Sequence, residues 1–572
     1  MPFDGFVMKR IVDEISKKIV ALNVRNVYLA RNTLYLSFDV GDLKVSLNPN
    51  FSHISLVAHS LDEFEKNNFV EFLRSRIRGA KVLSFSNIEY ERTALLILKK
   101  TDEVGINHLY SIYFDIMGKH SNAIIVENNI ILDAYKRIET RIRKIMPQEK
   151  FVMYPSDKAI IESIDSVDKL KTVLQSSKLS DVKINESTKI TEAIYRNIQG
   201  FSKITAHELI YRAGLDDVPV SELSDADFEK LFSATLSVIK EINNESFWLF
   251  FNNEQPIDLS SIELHIYEDK KDCTSAIECV NEYFQFMENK DRIQQKKNQL
   301  ISAVKSKIEQ YTDILENIER ELSHCEEAEK FKKYGELLKT YFYQIEHGTE
   351  KVELFDWEHE VNISIPLEKN LTPIENSQRF FNLYSKLKRK LVGLNERKEI
   401  LEKELSYLQQ LQLTIESADS LEDLSEIEEE MADNNLIKKH KDKSKKKGKK
   451  DSQLSQPRKY VYNGFVIYVG KNNKQNDELV RNSSDKDLWL HAQGMPGAHV
   501  IIKTNGKNVD DETLMYAARL AATYSKGRYS AEVPIDYTLV KYVKKPKGLK
   551  PGLVLYSNFK TIFAPPFQEK LI

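Results

Sequence analysis

The stretch DLWLHAQGMPGAHVIIK, residues 487 to 503, holds the side chains of this sequence that are best suited to chemistry. If residues 487–491 and 498–503 are strands, side-chain alternation puts the polar and aromatic groups of the first on one face. A Pro-Gly turn then returns the chain beside them. The groups that would meet are a carboxylate, an indole and two imidazoles around the turn: Asp487, Trp489, His491, Pro496, Gly497 and His499.

These groups permit either catalysis or binding. Two imidazoles and a carboxylate can act as general acids and bases, or as zinc or manganese ligands. No second acidic cluster or cysteine lies nearby in the sequence to complete a metal shell. RNA suits them better, because an indole stacks on bases, imidazoles donate to phosphates, and Lys471 and Lys503 add positive charge. The alternative is that Trp489 belongs to the core and His491 is a hydrogen-bonded structural residue.

Sequence signatures of nucleotide hydrolysis and of nucleophilic catalysis are absent. There is no Walker loop, GxGxxG fingerprint, nucleophile elbow, HExxH or kinase signature in the 572 residues. We therefore expect a binding protein that is not an enzyme and needs no metal or other cofactor.

The net charge of −3 hides an uneven distribution. Residues 416–433 contain nine acidic and no basic residues, whereas residues 438–450 contain nine lysines. Residues 457–572 hold eighteen Lys or Arg against ten Asp or Glu. A cationic C-terminal quarter favours a polyanionic partner such as RNA, with a solvated, solubilising tail as the alternative for the lysine run alone.

Neither membrane insertion nor export is indicated. The N-terminus has no long apolar stretch, and about eighteen consecutive apolar residues occur nowhere in the sequence. We expect a cytoplasmic protein without a membrane partner. Three cysteines without CxxC spacing, Cys273, Cys279 and Cys325, are expected to be ordinary thiols.

The length predicts three or four folded units, with helix dominant. A helix at about 5–22 precedes strands that break at Arg31-Asn32 and Gly41-Asp42, which predicts an α+β domain over residues 1–180. A helical region follows over 181–280. Its Gly-Phe-Ser turn before residue 203 permits either half of a phosphate-binding helix-hairpin-helix or a plain capped helix.

Heptad spacing predicts a coiled-coil arm with a small cap over residues 281–430. One seam runs from Ile301 to Leu322, and a second runs from Leu387 to Leu408 with Lys398 in place of an apolar residue. The prolines and strand-like patches between them favour an antiparallel hairpin within one chain, with a first helix from about 284 to 345. The acidic and lysine blocks together with SQPRK are expected to form a mobile, solvated linker, placed at residues 431–456, before an α/β domain at 457–572.

The sequence resembles the NFACT family, the NEMF-like ribosome quality-control factors, which are also known as fibronectin-binding proteins. The resemblance is carried along the whole chain by MPFDGF, FLRSRIRG, MGKHSNAIIV, GFSKITAHELIYRAGL, IPLEKNLTPIENSQRFFNLYSKLKR, GFVIYVGKNNKQND, DLWLHAQGMPGAH and VKYVKKPKGLKPG. It implies a multidomain α+β protein with an N-terminal domain like that of formamidopyrimidine-DNA glycosylases, a helix-hairpin-helix region, a coiled-coil arm and a C-terminal RNA-binding domain.

The resemblance also implies a function. Such proteins bind large ribosomal subunits obstructed by peptidyl-tRNA and recruit charged tRNA, alanyl-tRNA in bacteria. The ribosome then adds an alanine tail that marks the stalled chain for degradation. The implied partners are the large subunit, tRNA and RqcP, with the protein acting as a monomer on the ribosome.

Family residues that engage tRNA match Glu91 and Arg92, where glutamate replaces the family's aspartate. Arginine can bind phosphate as a bidentate fork. The extra methylene either alters tRNA selection or leaves Glu91 to orient Arg92. Supporting tRNA contacts are expected from Arg74, Arg76, Lys119 and His120.

Two alternatives come from other functional classes. A DNA-glycosylase-like enzyme would need a glutamate after its N-terminal proline and a zinc finger, but Phe3 follows Pro2 and the cysteines cannot form the finger. A surface-exposed fibronectin-binding adhesin would need an export signal. Cell fractionation separates the adhesin from a ribosome-bound factor.

Overall fold

A computed structural model of the chain describes residues 3–59, 64–140, 143–154, 156–176, 187–438 and 455–567. The chain divides into two compact units, Met1–Lys290 and Asp291–Ile572. The boundary expected near residue 180 and the lysine run from 439 onward lie outside the described residues. No helix in the described part is long and apolar enough to cross a membrane.

The first unit opens with helix α1 (Gly5–Ile19), which packs against two antiparallel sheets. Arg31 and Asn32 both have positive φ, as a tight hairpin turn requires, so the predicted strand break there is confirmed. The first sheet contains β1 (Asn26–Ala30), β2 (Thr33–Phe38), β3 (Gly41–Ser46) and β4 (His53–Val57). Helix α2 (Asn68–Ile77) leads to the second, with β5 (Lys81–Asn87), β6 (Thr93–Thr101), β7 (Asn107–Asp115), β8 (Asn122–Glu127) and β9 (Ile130–Ala134).

A short hairpin, a group of helices and a three-stranded sheet follow in the first unit. They comprise β10 (Ile138–Glu139), β11 (Lys144–Ile145), α3 (Val167–Gln175), α4 (Ile190–Asn197), α5 (Lys203–Ala213), α6 (Asp225–Asn243), β12 (Trp248–Asn252), β13 (Gln255–Ser260) and β14 (Lys270–Asp272). The sheet has the order β13-β12-β14, so the region predicted to be helical over 181–280 also contains strands. Cys273 and Cys279 are joined as a disulfide, and Cys325 is a buried free thiol. The expectation of three ordinary thiols is therefore wrong for the first two, because the turn after β14 places their Cα atoms 6.4 Å apart.

The N-terminus of α5 is capped from within the chain. Ser202 accepts a hydrogen bond from the Thr205 amide, and the Thr205 hydroxyl donates to the buried carboxylate of Asp4 at 3.3 Å. Gly200 has φ of +92°, and a Cβ there would lie 2.5 Å from the ring of Phe6. The turn is therefore packed against α1, which favours the plain capped helix over a phosphate site.

The second unit is built on a long helical region. Helix α7 (Ala276–Cys325) starts in the first unit, and α8 (Ala328–Tyr341), β15 (Lys351–Asp356), β16 (Val361–Pro366), α9 (Pro373–Glu416) and α10 (Leu421–Asp433) follow. The predicted single helix from 284 to 345 is wrong, because the chain leaves the α-helix between Cys325 and Ala328. Gly335 lets α8 approach α9 closely, since its carbonyl accepts from the Ser377 hydroxyl and a Cβ would lie 3.1 Å from Phe381.

Ion pairs across α7 and α9 show that the two helices run antiparallel. Lys390 pairs with Glu321, and Lys398, which interrupts the predicted seam, pairs with Glu319 at 2.9 Å. Leu300 and Val304 of α7 lie in one buried cluster with Leu408 and other residues of α9 and α10. A lysine is tolerated in the seam because its charge is matched by the opposite helix.

The acidic stretch 416–433 is not a solvated linker. Most of it forms α10, whose Leu424, Ile427 and Met431 are buried against α7 and α9. Helical spacing puts these apolar residues on one face and leaves carboxylates for another. The sequence expectation was wrong because the charge count conceals this amphipathic pattern.

The C-terminal domain is a six-stranded antiparallel sheet with helices on both faces. Its elements are β17 (Arg458–Tyr462), β18 (Phe465–Val469), α11 (Asn473–Arg481), β19 (Leu488–Ala492), β20 (Val500–Lys503), α12 (Asp511–Thr523), β21 (Val533–Leu539), β22 (Val543–Lys544), β23 (Leu555–Tyr556) and β24 (Lys560–Ala564). The sheet order is β17-β18-β20-β19-β21-β24, so β17 and β24 are its edges. Helix α12 packs on one face with Leu490, and Trp489 lies on the other.

Candidate nucleic-acid interface

Trp489 is a core residue of the C-terminal domain. Its side chain is 0 % exposed and packs with Ile501, Val540 and Val543. The indole therefore offers no face to a nucleobase in this structure, which decides between the two uses considered for it. Its neighbours are rings as well, with His491 stacked at 5.6 Å between centroids and Tyr556 at 4.7 Å.

The two histidines lie at the turn, but their environment is structural. The His491 ring contacts the Gly497 carbonyl oxygen through Nε2 at 3.2 Å, and His499 is 1 % exposed. Burial lowers the pKa of His491, and burial together with the nearby His491 holds the pKa of His499 well below its usual range. Both imidazoles are therefore neutral near pH 7, so they contribute no positive charge for a phosphate.

Asp487 and Lys503 are partners of each other. The Lys503 ammonium lies 3.0 Å from the Asp487 carboxylate and also donates to the Ser483 hydroxyl at 2.9 Å. Burial alone would raise the pKa of Asp487, but hydrogen bonds from Lys503 and from the Ser484 and Thr504 amides lower it. The pair closes the loop before β19, which is a structural task.

The Pro496-Gly497 turn docks on helix α9. The Gln410 side chain accepts from the Gly497 amide at 2.8 Å and donates to the Gly497 carbonyl oxygen at 2.9 Å. The Pro496 carbonyl accepts from the Lys526 amide. The turn predicted to face RNA is therefore covered by the helical region within the same unit.

Helix α10 covers the GKNNKQND stretch in the same way. Asp423 lies 3.4 Å from the Lys471 ammonium, and Glu426 accepts from the Asn472 side chain at 2.7 Å. Glu430 accepts from Asn473 at 2.9 Å, and burial raises its pKa against that hydrogen bond. The acidic stretch thus neutralises Lys471, one of the predicted RNA contacts.

In the first unit, four predicted tRNA contacts lie at one end of the second sheet. Glu91 and Arg92 lie in the turn before β6, and Lys119 and His120 lie in the turn after β7. Thr93 pairs with Asp115 at this end, and the Ile116 amide donates to the Arg92 carbonyl at 2.7 Å. Lys119 and His120 are exposed, and Glu91 and Arg92 are half-buried.

Arg74 and Arg76 are not near these four. Their helix α2 meets the other end of β6, where the Lys100 ammonium donates to the Ser75 carbonyl. The eight residue steps from Thr93 to Thr101 span about 27 Å. Arg74 is also held internally, since it donates to the Asn26 side chain at 3.0 Å and to the Val27 carbonyl at 2.7 Å.

Sequence reasoning missed two cations beside Glu91. Arg143 lines the same small cleft, where it pairs with the buried Asp115 at 2.8 Å. Burial lowers the pKa of Lys158, with Glu91 and Arg92 acting on it in opposite directions. Neither residue belongs to a local motif, so no sequence signal singled them out.

It also missed the exposed aromatics at one edge of the C-terminal sheet. Phe563 on β24 is 60 % exposed, and Phe559 just before it is 45 % exposed. Lys560, Thr561 and Ile562 separate them in the stretch NFKTIFAPP. Strand alternation around a lysine would have been the signal, but an alternating strand also describes an ordinary half-buried edge.

One group in the described residues could supply ligands to a metal. Asp356, Glu358 and His359 in the β15–β16 turn have ligand atoms within 4.8 Å of one another. Lys333 lies 2.8 Å from Asp356 and pairs with Glu358 as well. A lysine in this position already balances the carboxylates, so the group is explained as an ion-pair cluster.

Comparisons with known proteins place the whole chain in context. Residues 4–450 match the family described as NFACT N-terminal and middle domains, and residues 459–558 match the NFACT protein RNA binding domain. The chain is 28% identical over 589 residues to the Rqc2 homolog RqcH of Bacillus subtilis (strain 168), covering 100% of this chain and 99% of that protein. It is 29% identical over 600 residues to the Rqc2 homolog RqcH of Streptococcus suis (strain 05ZYH33), with the same coverage.

A solved structure is also similar. It is the C-terminal part of the fibronectin/fibrinogen-binding protein from Streptococcus suis, 32% identical, with a TM-score of 0.38. The match covers 49% of this chain and 98% of that one.

Proposed function

Since the chain belongs to the NFACT family, we propose that it is a ribosome quality-control factor that binds RNA through its C-terminal domain. The observation that carries this proposal is full-length similarity to two proteins named Rqc2 homolog RqcH, which leaves no part of the chain outside the match. The architecture agrees with that proposal, since the chain has a unit of mixed helix and sheet, a long helical region and an α/β domain.

The finer proposal is that the protein binds large ribosomal subunits obstructed by peptidyl-tRNA and recruits alanyl-tRNA. The ribosome then adds alanine to the stalled chain, so this protein performs no chemistry itself. RqcP is the expected co-factor protein on the subunit, with this chain acting as a cytoplasmic monomer. We also propose the glycosylase-like description of residues 1–180 and the coiled-coil description of the arm on the strength of the resemblance.

The tRNA contact is proposed at the sheet end that carries Glu91, Arg92, Lys119 and His120. Support comes from their convergence on one end of the second sheet and from exposure of the last two side chains. An arginine, a lysine and a histidine close together give a phosphate more than one donor. Lys158 is a further cation close to Glu91 and Arg92, whereas Arg143 is paired with Asp115.

Affinity purification from cells followed by sequencing of the bound RNA tests the proposal. Large-subunit ribosomal RNA and tRNA should both be enriched over a mock purification, with alanine acceptors first among the tRNAs. Recovery of neither RNA would overturn the proposal. Enrichment of other tRNAs would overturn only the alanine assignment.

A further inference from the structure

We propose that single-stranded RNA stacks its bases on one face of the edge strand β24, through Phe559 and Phe563. This inference rests on the RNA-binding function proposed above and assigns that function to particular side chains. The two phenylalanines lie beyond residue 558, where the match to the RNA-binding family ends. Phe559, Thr561 and Phe563 are called the β24 platform below.

The platform lies on an open part of the sheet. Strand β24 pairs with β21 alone, with Pro534 opposite Phe563 and Asp536 opposite Thr561. Because side chains alternate along a strand, Thr561 and Phe563 point to the same face. Phe559, just before the strand, lies against Tyr556, which shares the Asp536 carboxylate with Thr561. All three side chains are exposed.

The platform is held in place from below by Asp536. This carboxylate is 1 % exposed and accepts three hydrogen bonds, from the Thr561 hydroxyl at 2.6 Å, the Tyr556 hydroxyl at 2.8 Å and the Gln493 side chain at 3.1 Å. The Tyr556 ring meets Phe559 edge to face at 5.3 Å. The exposed rings are thus supported by a satisfied polar group, which reduces the ordering that a ligand must impose.

Charge near the platform favours a nucleic acid over a protein as the occupant. Lys544 is opposite the exposed Leu555 in the β22–β23 pair. Lys560 lies between the two phenylalanines in the sequence, but strand alternation points it to the other face of β24. Lys541 and Lys547 are also exposed, and none of these four lysines forms an ion pair with a described residue. Strand pairing places one carboxylate, that of Asp536, opposite the platform. It is buried, and it accepts three hydrogen bonds.

Exposed aromatic rings near lysines that form no ion pair suit single strands in particular. A phenyl ring accepts any base whose face is free, whereas the bases of a duplex are stacked on one another. The lysines would contact the backbone phosphates without regard to sequence. We therefore expect binding that is strong for unpaired RNA, weak for a duplex and tolerant of sequence.

Fluorescence anisotropy with the full-length protein tests the platform. The probes are a labelled short oligouridine and a duplex of the same length. Phe559→Ala and Phe563→Ala should each weaken oligouridine binding by roughly five-fold or more, as loss of one stacked base does. Phe563→Leu should lose most of this affinity too, because leucine keeps the apolar volume without the π face.

Matched controls come from the opposite edge of the sheet. Val461 on β17 is 64 % exposed, and Lys459 on the same strand is exposed. Val461→Ala should bind like wild type, and Lys544→Ala should weaken binding more than Lys459→Ala does. Unchanged thermal unfolding of the phenylalanine variants would show that the losses are local.

The proposal is overturned if the double Phe→Ala variant binds oligouridine like wild type, if duplex binding falls equally, or if Phe563→Leu retains full affinity. Dimerisation that the double variant loses, without an RNA effect, would make β24 a self-association edge instead. Sedimentation of the same variants with large subunits separates the two proposals. If wild type sediments with subunits while the platform tests fail, only this inference falls; if wild type neither sediments with subunits nor recovers RNA, the proposed function falls.

Discussion

The side-chain amide of Gln410 binds both backbone polar atoms of Gly497, accepting from its N–H at 2.8 Å and donating to its carbonyl oxygen at 2.9 Å. One residue of helix α9 thus recognises the turn that carries the most distinctive sequence motif of the C-terminal domain. His491 shares the same carbonyl oxygen at 3.2 Å. The Pro496-Gly497 turn of the motif therefore fastens the domain to the helical region.

Replacing Gln410 with alanine should loosen this attachment. The Gly497 amide would be left buried without an acceptor, which costs about 1–3 kcal/mol. Hydrogen exchange should show faster exchange of the Gly497 amide and lower stability of the second unit. Gln412→Ala is the matched control, since its side chain bonds Glu416 one turn further along. Equal effects of the two substitutions would contradict the assigned role of Gln410.

Acidification should destabilise the C-terminal domain through His499. The pKa of this ring is held well below its usual range by burial, whereas in the unfolded chain it titrates near about 6.5. Below that pH the unfolded state binds the proton that the folded state excludes, so stability falls as pH decreases. Thermal unfolding at about pH 8 and about pH 5 should show a smaller decrease for His499→Asn than for wild type. The exposed His347→Asn should keep the wild-type decrease; if His499→Asn keeps it as well, the ring is not the sensor.

Asp4 should produce the opposite pH dependence in the first unit. Burial raises its pKa to about 6, although hydrogen bonds to Val7 and to Ser202 and Thr205 oppose the rise. The pKa of an aspartate in the unfolded chain is about 4. Between this pH and pH about 6, the folded state holds a proton that the unfolded state has released, so stability falls as pH rises. Asp4→Asn, which can still cap α1, should gain up to roughly 2–3 kcal/mol relative to wild type at about pH 8 and nothing at about pH 4.

Chemical denaturation at the two pH values measures this difference. Asp13→Asn, on the more exposed side of the same helix, is the control for removing a carboxylate from α1. A gain for Asp4→Asn that is the same at both pH values would show that the buried charge is not its cause.

Arg92→Ala should reduce tRNA recovery while large-subunit recovery stays at the wild-type level. Its guanidinium is proposed to bind phosphate at the sheet end shared with Lys119 and His120. Arg76→Ala removes the same charge from helix α2, towards the other end of β6, and should leave tRNA recovery unchanged. Quantitative sequencing of the bound RNA measures both. Equal losses would mean that tRNA contacts extend over the whole sheet, against the single-end assignment.

Glu91→Asp distinguishes the two roles left open for the neighbouring carboxylate. If Glu91 selects the tRNA, shortening it by one methylene should change which acceptors are recovered. If it only orients Arg92, the total recovery should change without a change in the acceptor profile.

Local pattern was enough to predict several elements from the sequence. Arg31-Asn32 marked a hairpin because short turns need residues that tolerate positive φ, and the periodic apolar residues of α7 and α9 marked two long helices. The family resemblance likewise depends on residue order alone, and the full-length matches confirm it. These properties are encoded within a few residues of one another.

Exposure and partnership were decided only by the tertiary structure. The acidic stretch 416–433 was expected to be solvated, but its carboxylates meet Lys471 and Asn472 because α10 buries its apolar face beneath them. Trp489 was expected to offer a stacking surface, but it is a core residue. Phe563 was not predicted to be a site residue, but its side chain is exposed. A side chain's identity fixes what it can bind, but whether solvent, RNA or another helix reaches it depends on residues distant in the chain that fold against it.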